Sequence, residues 1–261
     1  MALRTLDIGD KLIAENVSFI MTENCPYKCA HCMRGKRRAL SISEEVIDAV
    51  LSQIVIEGTL HLGGGEPLMQ TKKAVYLINK VMECSFPETI SIITNGSICK
   101  QKFEEFISGL SIKGVFLDLV ISNDCYHRRE RLRLNRGKDN INTVALEYAE
   151  VMDKYGVFYN KRGEYKILEP YEAYKGMLKV SAIGRGINIK GSVLVLRDFE
   201  LQRNVILQSN GRNILGDMQV QPNGLITPAF DMSWEERDSY YNEDNNILSN
   251  PLRKILSPTR K

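Results

Sequence analysis

The sequence has no hydrophobic run that approaches the length of a membrane span, which takes about 20 consecutive apolar residues. Its first segment, Met1 to Asn16, is polar and mixed in charge, unlike a secretory signal. These two absences argue against a membrane protein and against an exported one. We therefore expect a cytoplasmic protein without a membrane partner.

The sequence also lacks a strong excess of charge of either sign. Its 35 basic and 32 acidic residues give a net charge of +3, too balanced to indicate a nucleic-acid partner by itself. Basic residues do cluster at positions 34–38 and 128–133. Each cluster is either a solvated surface or the mouth of a site for an anionic substrate.

The six cysteines do not form the pattern of a disulfide framework. Three of them, Cys25, Cys29 and Cys32, lie in one short loop with the spacing CxxxCxxC, so their thiolates can converge on one soft metal centre. No fourth cysteine follows in step, whereas an electron-transfer [4Fe-4S] cluster takes four thiolates. Three thiolates would leave one iron open to a ligand that is not protein.

Two other uses of these thiols are open from the residues alone. Together with His31, the three cysteines have the ligand types of a structural zinc site. His31 directly precedes Cys32, however, so its ring would have to fold back onto the metal that Cys32 already binds. A structural disulfide is disfavoured because three is an odd number of thiols and we expect a reducing compartment.

The CxxxCxxC loop resembles the signature of the radical S-adenosylmethionine (radical SAM) superfamily. The resemblance implies one [4Fe-4S] cluster on Cys25, Cys29 and Cys32, with the fourth iron chelated by the methionine part of SAM. It also implies reductive cleavage of SAM to a 5'-deoxyadenosyl radical, which abstracts hydrogen from a substrate. The electron would come from a donor of the flavodoxin or ferredoxin type.

A second motif, the sequence GGGEP at residues 63–67, follows a predicted strand and resembles the GGE motif of the same superfamily. The resemblance implies that Gly64, Gly65 and Glu66 bind the amino group of SAM. Glycine lets the backbone approach a ligand closely, and a carboxylate can balance an ammonium. The alternative is an ordinary turn between a strand and a helix.

Four further residues are candidates for the SAM site by the same resemblance. Ser122 and Asp124 follow the fourth predicted strand, where relatives place polar groups toward the ribose and methionine of SAM; capping of the loop is the alternative. His31 occupies the position at which relatives often carry an aromatic residue against adenine. Arg185 would bind the SAM carboxylate or close the barrel.

Short β-rich runs alternate with amphipathic helical segments, which predicts a parallel sheet with right-handed crossovers. The predicted strands are 17–22, 59–62, 90–94, 115–121, 178–183 and 205–207. The first predicted helix begins at a capping box over 41–44. Three further predicted helices cover 74–82, 103–107 and 142–155. We predict an α/β fold, a partial (β/α)6 TIM-like barrel with a small C-terminal extension. Its predicted parts are an N-terminal arm (1–16), the core barrel (17–210) and a hairpin extension (211–261).

The substrate is left open. Peptide-modifying relatives carry a cysteine-rich C-terminal extension, and the hairpin predicted at 218–227 resembles one; since no cysteine follows Cys125, we predict a single cluster. The basic clusters favour a nucleotide or nucleic acid instead. Trp234 is either an anchor for a macromolecular substrate or a core residue. A non-catalytic zinc or iron-sulfur scaffold or sensor would explain the thiols but not the GGGEP motif or Ser122.

Overall fold

The computed structural model describes residues 10–111, 116–157, 166–167, 205–207, 213–228, 233–240 and 242–256. Eight strands form one sheet: β1 (Leu12–Thr22), β2 (Ile54–Gly64), β3 (Thr89–Thr94), β4 (Phe116–Ile121), β5 (Lys166–Ile167), β6 (Val205–Leu207), β7 (Asn213–Val220) and β8 (Ile226–Pro228). The strand order is β5-β4-β3-β2-β1-β7-β6, and β8 pairs with β7.

Six of these strands run parallel, β5 through β1 and then β7. The strands β6 and β8 are antiparallel to β7. Parallel strands covered by helices define the α/β class. The architecture confirms the predicted partial TIM-like α/β fold.

The helices are α1 (Glu44–Leu51), α2 (Thr71–Cys84), α3 (Lys100–Ser108), α4 (Cys125–Leu134), α5 (Ile141–Lys154), α6 (Trp234–Tyr240) and α7 (Leu252–Ile255). Short 3₁₀ helices cover Pro67–Gln70 and Glu243–Asn245. The cap of α1 is Ser43, whose hydroxyl accepts the Val46 amide at 3.2 Å. The hydroxyl of Ser41 instead contacts that of Thr22 at 2.9 Å. None of the described helices is long and apolar enough to span a membrane.

The two faces of the sheet differ in chemistry because successive strand residues point to opposite sides. One face carries buried aliphatic and aromatic side chains that join the helices in a single core, among them Val17, Phe19, Leu60, Ile90 and Leu117. The opposite face carries polar side chains at the alternating positions, among them Asn16, Ser18, Thr59, His61, Ser91 and Asp118. The apolar face stabilises the fold by packing against the helices. The polar face is not packed against these helices, so its side chains can line a site.

The strands begin or pair differently from the prediction in three places, and one of them is β2, which begins at Ile54 and not at residue 59. β1 begins at Leu12, not at residue 17, because Leu12, Ile13 and Ala14 are buried and pair with residues 54–56 of β2. β6 is not a sixth parallel strand: it pairs antiparallel with β7. Only residues 208–212 separate β6 from β7, too few for the crossover that parallel strands need. The sixth parallel strand is β7, beside β1.

Other predictions for the second half of the chain have mixed outcomes. The hairpin at 218–227 is confirmed as β7 and β8, joined by a turn in which Gly224 has a φ of 86°. The predicted strand at 178–183 and the following Arg185 lie outside the described residues.

Candidate functional site

The carboxyl ends of β1, β2, β3, β4 and β7 surround one cleft of about 500 Å³. Among its lining residues are all three loop cysteines, Gly64, Gly65, Ser122 and His31. Parallel strands bring their carboxyl ends to one edge, which is where barrel enzymes carry their sites. The structure therefore brings most of the predicted site residues together.

The three thiols of the cysteine loop all line the cleft. Cys29 is buried, Cys25 and Cys32 are partly exposed, and no disulfide joins any of them. Burial, with the neighbouring thiols acting in the same direction, raises the pKa of the Cys25 thiol to about 12 and that of Cys29 above its ordinary range. Thiolates crowded into this pocket need a cation to compensate them. This donor set fits a soft metal centre such as an iron-sulfur cluster.

The cysteine loop is held from two sides by helices. On one side, the Glu130 carboxylate of α4 accepts the Lys28 amide at 2.9 Å. On the other, the Trp234 amide at the start of α6 donates to the Arg34 carbonyl at 3.1 Å. Within the loop, Arg37 donates to the Cys25 carbonyl at 3.1 Å. The backbone of the loop is thus fixed by groups that are distant in sequence.

A buried ion pair reinforces the contact with α6. The Glu23 side chain is fully buried and pairs with Arg237, which is itself buried. Arg38 lies 3.8 Å from the other Glu23 oxygen. Trp234 is 1% exposed and has the guanidinium groups of Arg34 and Arg237 at 5.3 and 5.4 Å from its ring. The prediction of Trp234 as a substrate anchor is therefore wrong, and its core alternative is confirmed.

The glycine motif lies directly against the cysteine loop. The Gly65 amide donates to the Thr22 carbonyl at 2.8 Å. A Cβ on Gly64 would lie 2.4 Å from the Thr22 oxygen, and one on Gly65 would lie 2.2 Å from the Asn24 oxygen. Gly64 also has a φ of 128°, which side chains disfavour. Both positions require glycine for the two loops to meet, and both line the cleft.

Glu66 is completely buried and lies outside the set of residues that line the cleft. Its carboxylate accepts hydrogen bonds from the Thr94 hydroxyl and the Asn95 amide, both at 2.8 Å, and from the Leu68 amide at 3.2 Å. Burial raises its pKa to about 7, although these bonds act in the opposite direction. Asn95 in turn donates to the Cys25 sulfur at 3.3 Å. Glu66 thus supports the cleft from behind.

Asp124 caps α4 and orients two histidines. One of its oxygens accepts the Tyr126 and His127 amides at 2.9 Å, as the capping alternative predicted. The other lies 2.6 Å from His127 Nδ1 and 3.3 Å from His31 Nε2. Burial acts to raise the pKa of Asp124, but the bonds to His127 and His31 lower it well below its ordinary value. His31 also stacks on Tyr126, with ring centroids 4.5 Å apart.

Ser122 lines the cleft at the end of β4. Its amide donates to the Thr94 carbonyl at 2.8 Å, and its carbonyl accepts Arg131 at 3.2 Å. Arg131 is fully buried and also binds Asn123 and Asp139, so this member of the second basic cluster is structural. Arg185 lies outside the described residues, and its predicted role stays a prediction.

Sequence reasoning missed several lining residues, notably Ser18, His61 and Gln219. All three histidines of the chain line this one cleft. The signal that could have found Ser18 and His61 is their position as single polar residues in otherwise apolar, alternating strands. A single polar residue in such a strand indicates that its side chain lies on the face of the sheet that is not packed against helices.

Residues 19–157 match the family model described as the Radical SAM superfamily. A curated relative, an S-adenosylmethionine-dependent nucleotide dehydratase of Fibrobacter sp. (strain UWH6), is 29% identical over 166 residues. The alignment covers 51% of this chain and 48% of the relative, so the chain spans about half the length of the curated protein that it matches.

Two solved structures share the fold. Native anSMEcpe with bound AdoMet and Cp18Cys peptide aligns with a TM-score of 0.51 at 13% identity, over 95% of this chain and 81% of that one. BtrN in complex with AdoMet and 2-DOIA aligns with a TM-score of 0.51 at 15% identity, over 96% and 85% of the two chains. Since the family match covers more than half of the chain, this protein belongs to the radical SAM superfamily of enzymes, which bind a [4Fe-4S] cluster and S-adenosylmethionine.

Proposed function

We propose that this enzyme binds its cluster through Cys25, Cys29 and Cys32 and acts on a nucleotide. When bound, the cluster and SAM supply a 5'-deoxyadenosyl radical that abstracts hydrogen from the substrate. The proposal includes an external electron donor of the flavodoxin or ferredoxin type. Six free cysteines support a reducing compartment such as the cytoplasm.

The residues around the thiols have separate tasks in this proposal. The backbone of Gly64 and Gly65 receives the methionine part of SAM, because both glycines line the cleft and their lack of side chains lets this backbone lie directly against the cysteine loop. Glu66 holds this backbone against β3 from behind. His31, held by Asp124 and Tyr126, supplies a flat ring for adenine. Ser122 offers a hydroxyl to the ribose.

The charge of the cleft is the observation that supports a nucleotide. None of the described lining residues is an aspartate or a glutamate, whereas Arg34 is among them and carries a fixed positive charge. A cleft with a cationic group and no carboxylate in its lining favours an anionic ligand. The likeness to a nucleotide dehydratase supports the same class. The alternative of a peptide substrate stays a prediction, and none of the contacts described above supports it.

The substrate class is tested by isotope transfer. Anaerobically reconstituted enzyme is incubated with SAM, a strong reductant and pools of deuterated nucleotides or deuterated peptides. We expect deuterium in 5'-deoxyadenosine from the nucleotide pool alone, read by mass spectrometry. Transfer from the peptide pool, or from neither pool, would contradict the proposal.

A pair of Arg34 variants tests the charge argument. Arg34→Gln should weaken nucleotide binding and reduce its dependence on salt, because it removes the fixed positive charge from the lining. Arg34→Lys keeps the charge and serves as the matched control. Equal affinities of the two variants would show that the charge is not what binds the substrate.

A further inference from the structure

A row of polar side chains crosses the face of the sheet that is not packed against the core helices. Gln219, Ser18, His61, Ser91 and Asp118 are in-register neighbours on β7, β1, β2, β3 and β4. Paired residues of adjacent strands project to the same face. The row therefore crosses five strands at one level of the barrel.

Three members of this row line the cleft, Ser18, His61 and Gln219. Within the described part of the chain, no hydrogen-bond partner is present for the Ser18 hydroxyl or for either ring nitrogen of His61. Polar groups that are half-buried or buried normally have a partner in the protein, in water or in a ligand. Three such groups on adjacent strands make a ready surface for a polar ligand.

The orientation of the Gln219 amide is set by a chain of hydrogen bonds from a fixed cation. Arg237 can only donate, so it faces the carbonyl oxygen of the Gln221 side chain, at 3.4 Å. Gln221 then donates its amide nitrogen to Gln219 Oε1 at 2.7 Å and to the Thr227 hydroxyl at 3.0 Å. This leaves Gln219 Nε2 as the group for a ligand. Gln219 is only 4% exposed, so its geometry is firmly held.

Glycine at position 63 keeps the wall beside this row open. A Cβ there would lie 3.8 Å from Ile20 Cδ1 and 4.0 Å from the Ser18 hydroxyl oxygen, both ordinary contacts. The protein therefore tolerates a methyl group at this position. Its absence leaves room next to the Ser18 hydroxyl, inside the cleft.

His61 adds a neutral group to the row. Burial lowers the pKa of its imidazole, with Asp217 and Asp118 acting in the opposite direction. A neutral imidazole has one donor and one acceptor. Together with the Gln219 amide and the Ser18 hydroxyl, it offers mainly donors to an uncharged or anionic oxygen.

We propose that Ser18, His61 and Gln219 form a subsite that binds acceptor oxygens of the nucleotide substrate, at its phosphoryl groups or its sugar hydroxyls. This inference rests on the proposed function, which supplies the substrate class. The subsite lies on the sheet, whereas the thiols and the glycine motif lie in the loops after the strands. It would fix the substrate on the sheet, below the level of the loop that carries the thiols.

The test compares ligand affinity in the reconstituted holoenzyme with SAM present. Titration calorimetry measures the dissociation constants of the four ribonucleoside triphosphates and of the matching nucleosides. Gln219→Glu keeps the acceptor for Gln221 but replaces the donor with a carboxylate oxygen, and should weaken binding at least about tenfold. Ser18→Ala should weaken it about threefold to tenfold. Gly63→Ala should weaken it by narrowing the cleft.

Matched controls lie on the exposed surface of α3. Gln101→Glu and Ser108→Ala make the same chemical changes away from the cleft and should bind as the wild type does. Iron content and the spectrum of the reduced cluster verify that each variant is folded. A loss for both ligand types identifies sugar oxygens, and a loss for the triphosphates alone identifies phosphoryl oxygens.

Two outcomes would overturn the assignment, and they are distinguishable. If the wild type binds triphosphates and all three cleft variants bind them equally well, the subsite is wrong while the substrate class stands. If the wild type binds no nucleoside and no triphosphate, the proposed substrate class fails and the subsite falls with it.

Discussion

Two buried carboxylates flank the cysteine loop, and the protein compensates them in different ways. Glu23, directly after β1, pairs with the buried Arg237 of α6 and lies near Arg38. Glu66, after β2, accepts bonds from a hydroxyl and two amides, and no cation contacts it within the described part of the chain. The pKa of Glu66 is raised to about 7 by burial.

The bonds of Glu23 connect segments that are distant in sequence, whereas the bonds of Glu66 connect segments that are closer together. The partner of Glu23 is 214 residues away in sequence, so the pair ties the C-terminal part of the chain to the cysteine loop. The partners of Glu66 lie in its own 3₁₀ helix and at the end of the neighbouring strand β3. We infer that Glu23 maintains the position of α6, whereas Glu66 maintains the shape of the cleft.

The largest effect is expected from breaking the buried ion pair. Arg237→Met leaves the Glu23 carboxylate buried without its cation, and loss of one partner of a buried pair typically costs about 3–5 kcal/mol. The free energy of unfolding, measured by chemical denaturation, should fall by this amount. Iron loading should fall as well, because α6 also holds the Arg34 carbonyl of the loop.

The matched control is Arg128→Met on α4. Arg128 is exposed, and its partner Asp139 keeps a second cation in Arg131, so the loss of Arg128 should change stability by less than about 1 kcal/mol. If the two variants are equally stable, the pair between Glu23 and Arg237 does not hold α6 as described.

A smaller effect is expected from the charge of Glu66. Its pKa rises on folding from near 4.5 to about 7, so the folded state favours the neutral carboxyl. The stability of the wild type should therefore decrease as pH rises from about 4.5 to about 7 and stay level above. Each unit of pKa corresponds to about 1.4 kcal/mol, which gives a total of about 3 kcal/mol.

Glu66→Gln removes this titration and should show a flatter pH profile of the thermal midpoint than the wild type. Glu105→Gln, on the exposed surface of α3, controls for the loss of a carboxylate. If the thermal midpoint of the wild type rises with pH through this range, the three hydrogen-bond donors outweigh burial and lower the pKa of Glu66 on folding.

The sequence predicted those parts of the site that are close together along the chain. The thiol spacing and the GGGEP motif needed no tertiary information, and the strands before them followed from β-rich runs. The prediction that the carboxyl ends meet at one edge followed from the alternation of strands and helices. These features account for the family and for the location of the cleft.

What the sequence did not predict depends on contacts between distant segments. The position of β7 beside β1, the antiparallel pairing of β6 and the contact of Trp234 with Arg237 have no local signal. The predicted binding of the SAM amino group by Glu66 stays a prediction, and the direction of its carboxylate depends on donors at the end of β3. The role of Asp124 toward the ribose and methionine of SAM stays a prediction, and only the folded helix reveals that Asp124 caps α4 and orients His31.

The central claim is that Cys25, Cys29 and Cys32 hold one [4Fe-4S] cluster in this cleft. The most direct measurement is the iron and sulfide content of anaerobically reconstituted protein, together with its Mössbauer spectrum, for the wild type and for a variant with all three cysteines changed to Ala. We expect about four irons and four sulfides per wild-type chain and none in the variant. A full cluster in the variant, or stoichiometric zinc without iron in anaerobically purified wild type, would contradict the account.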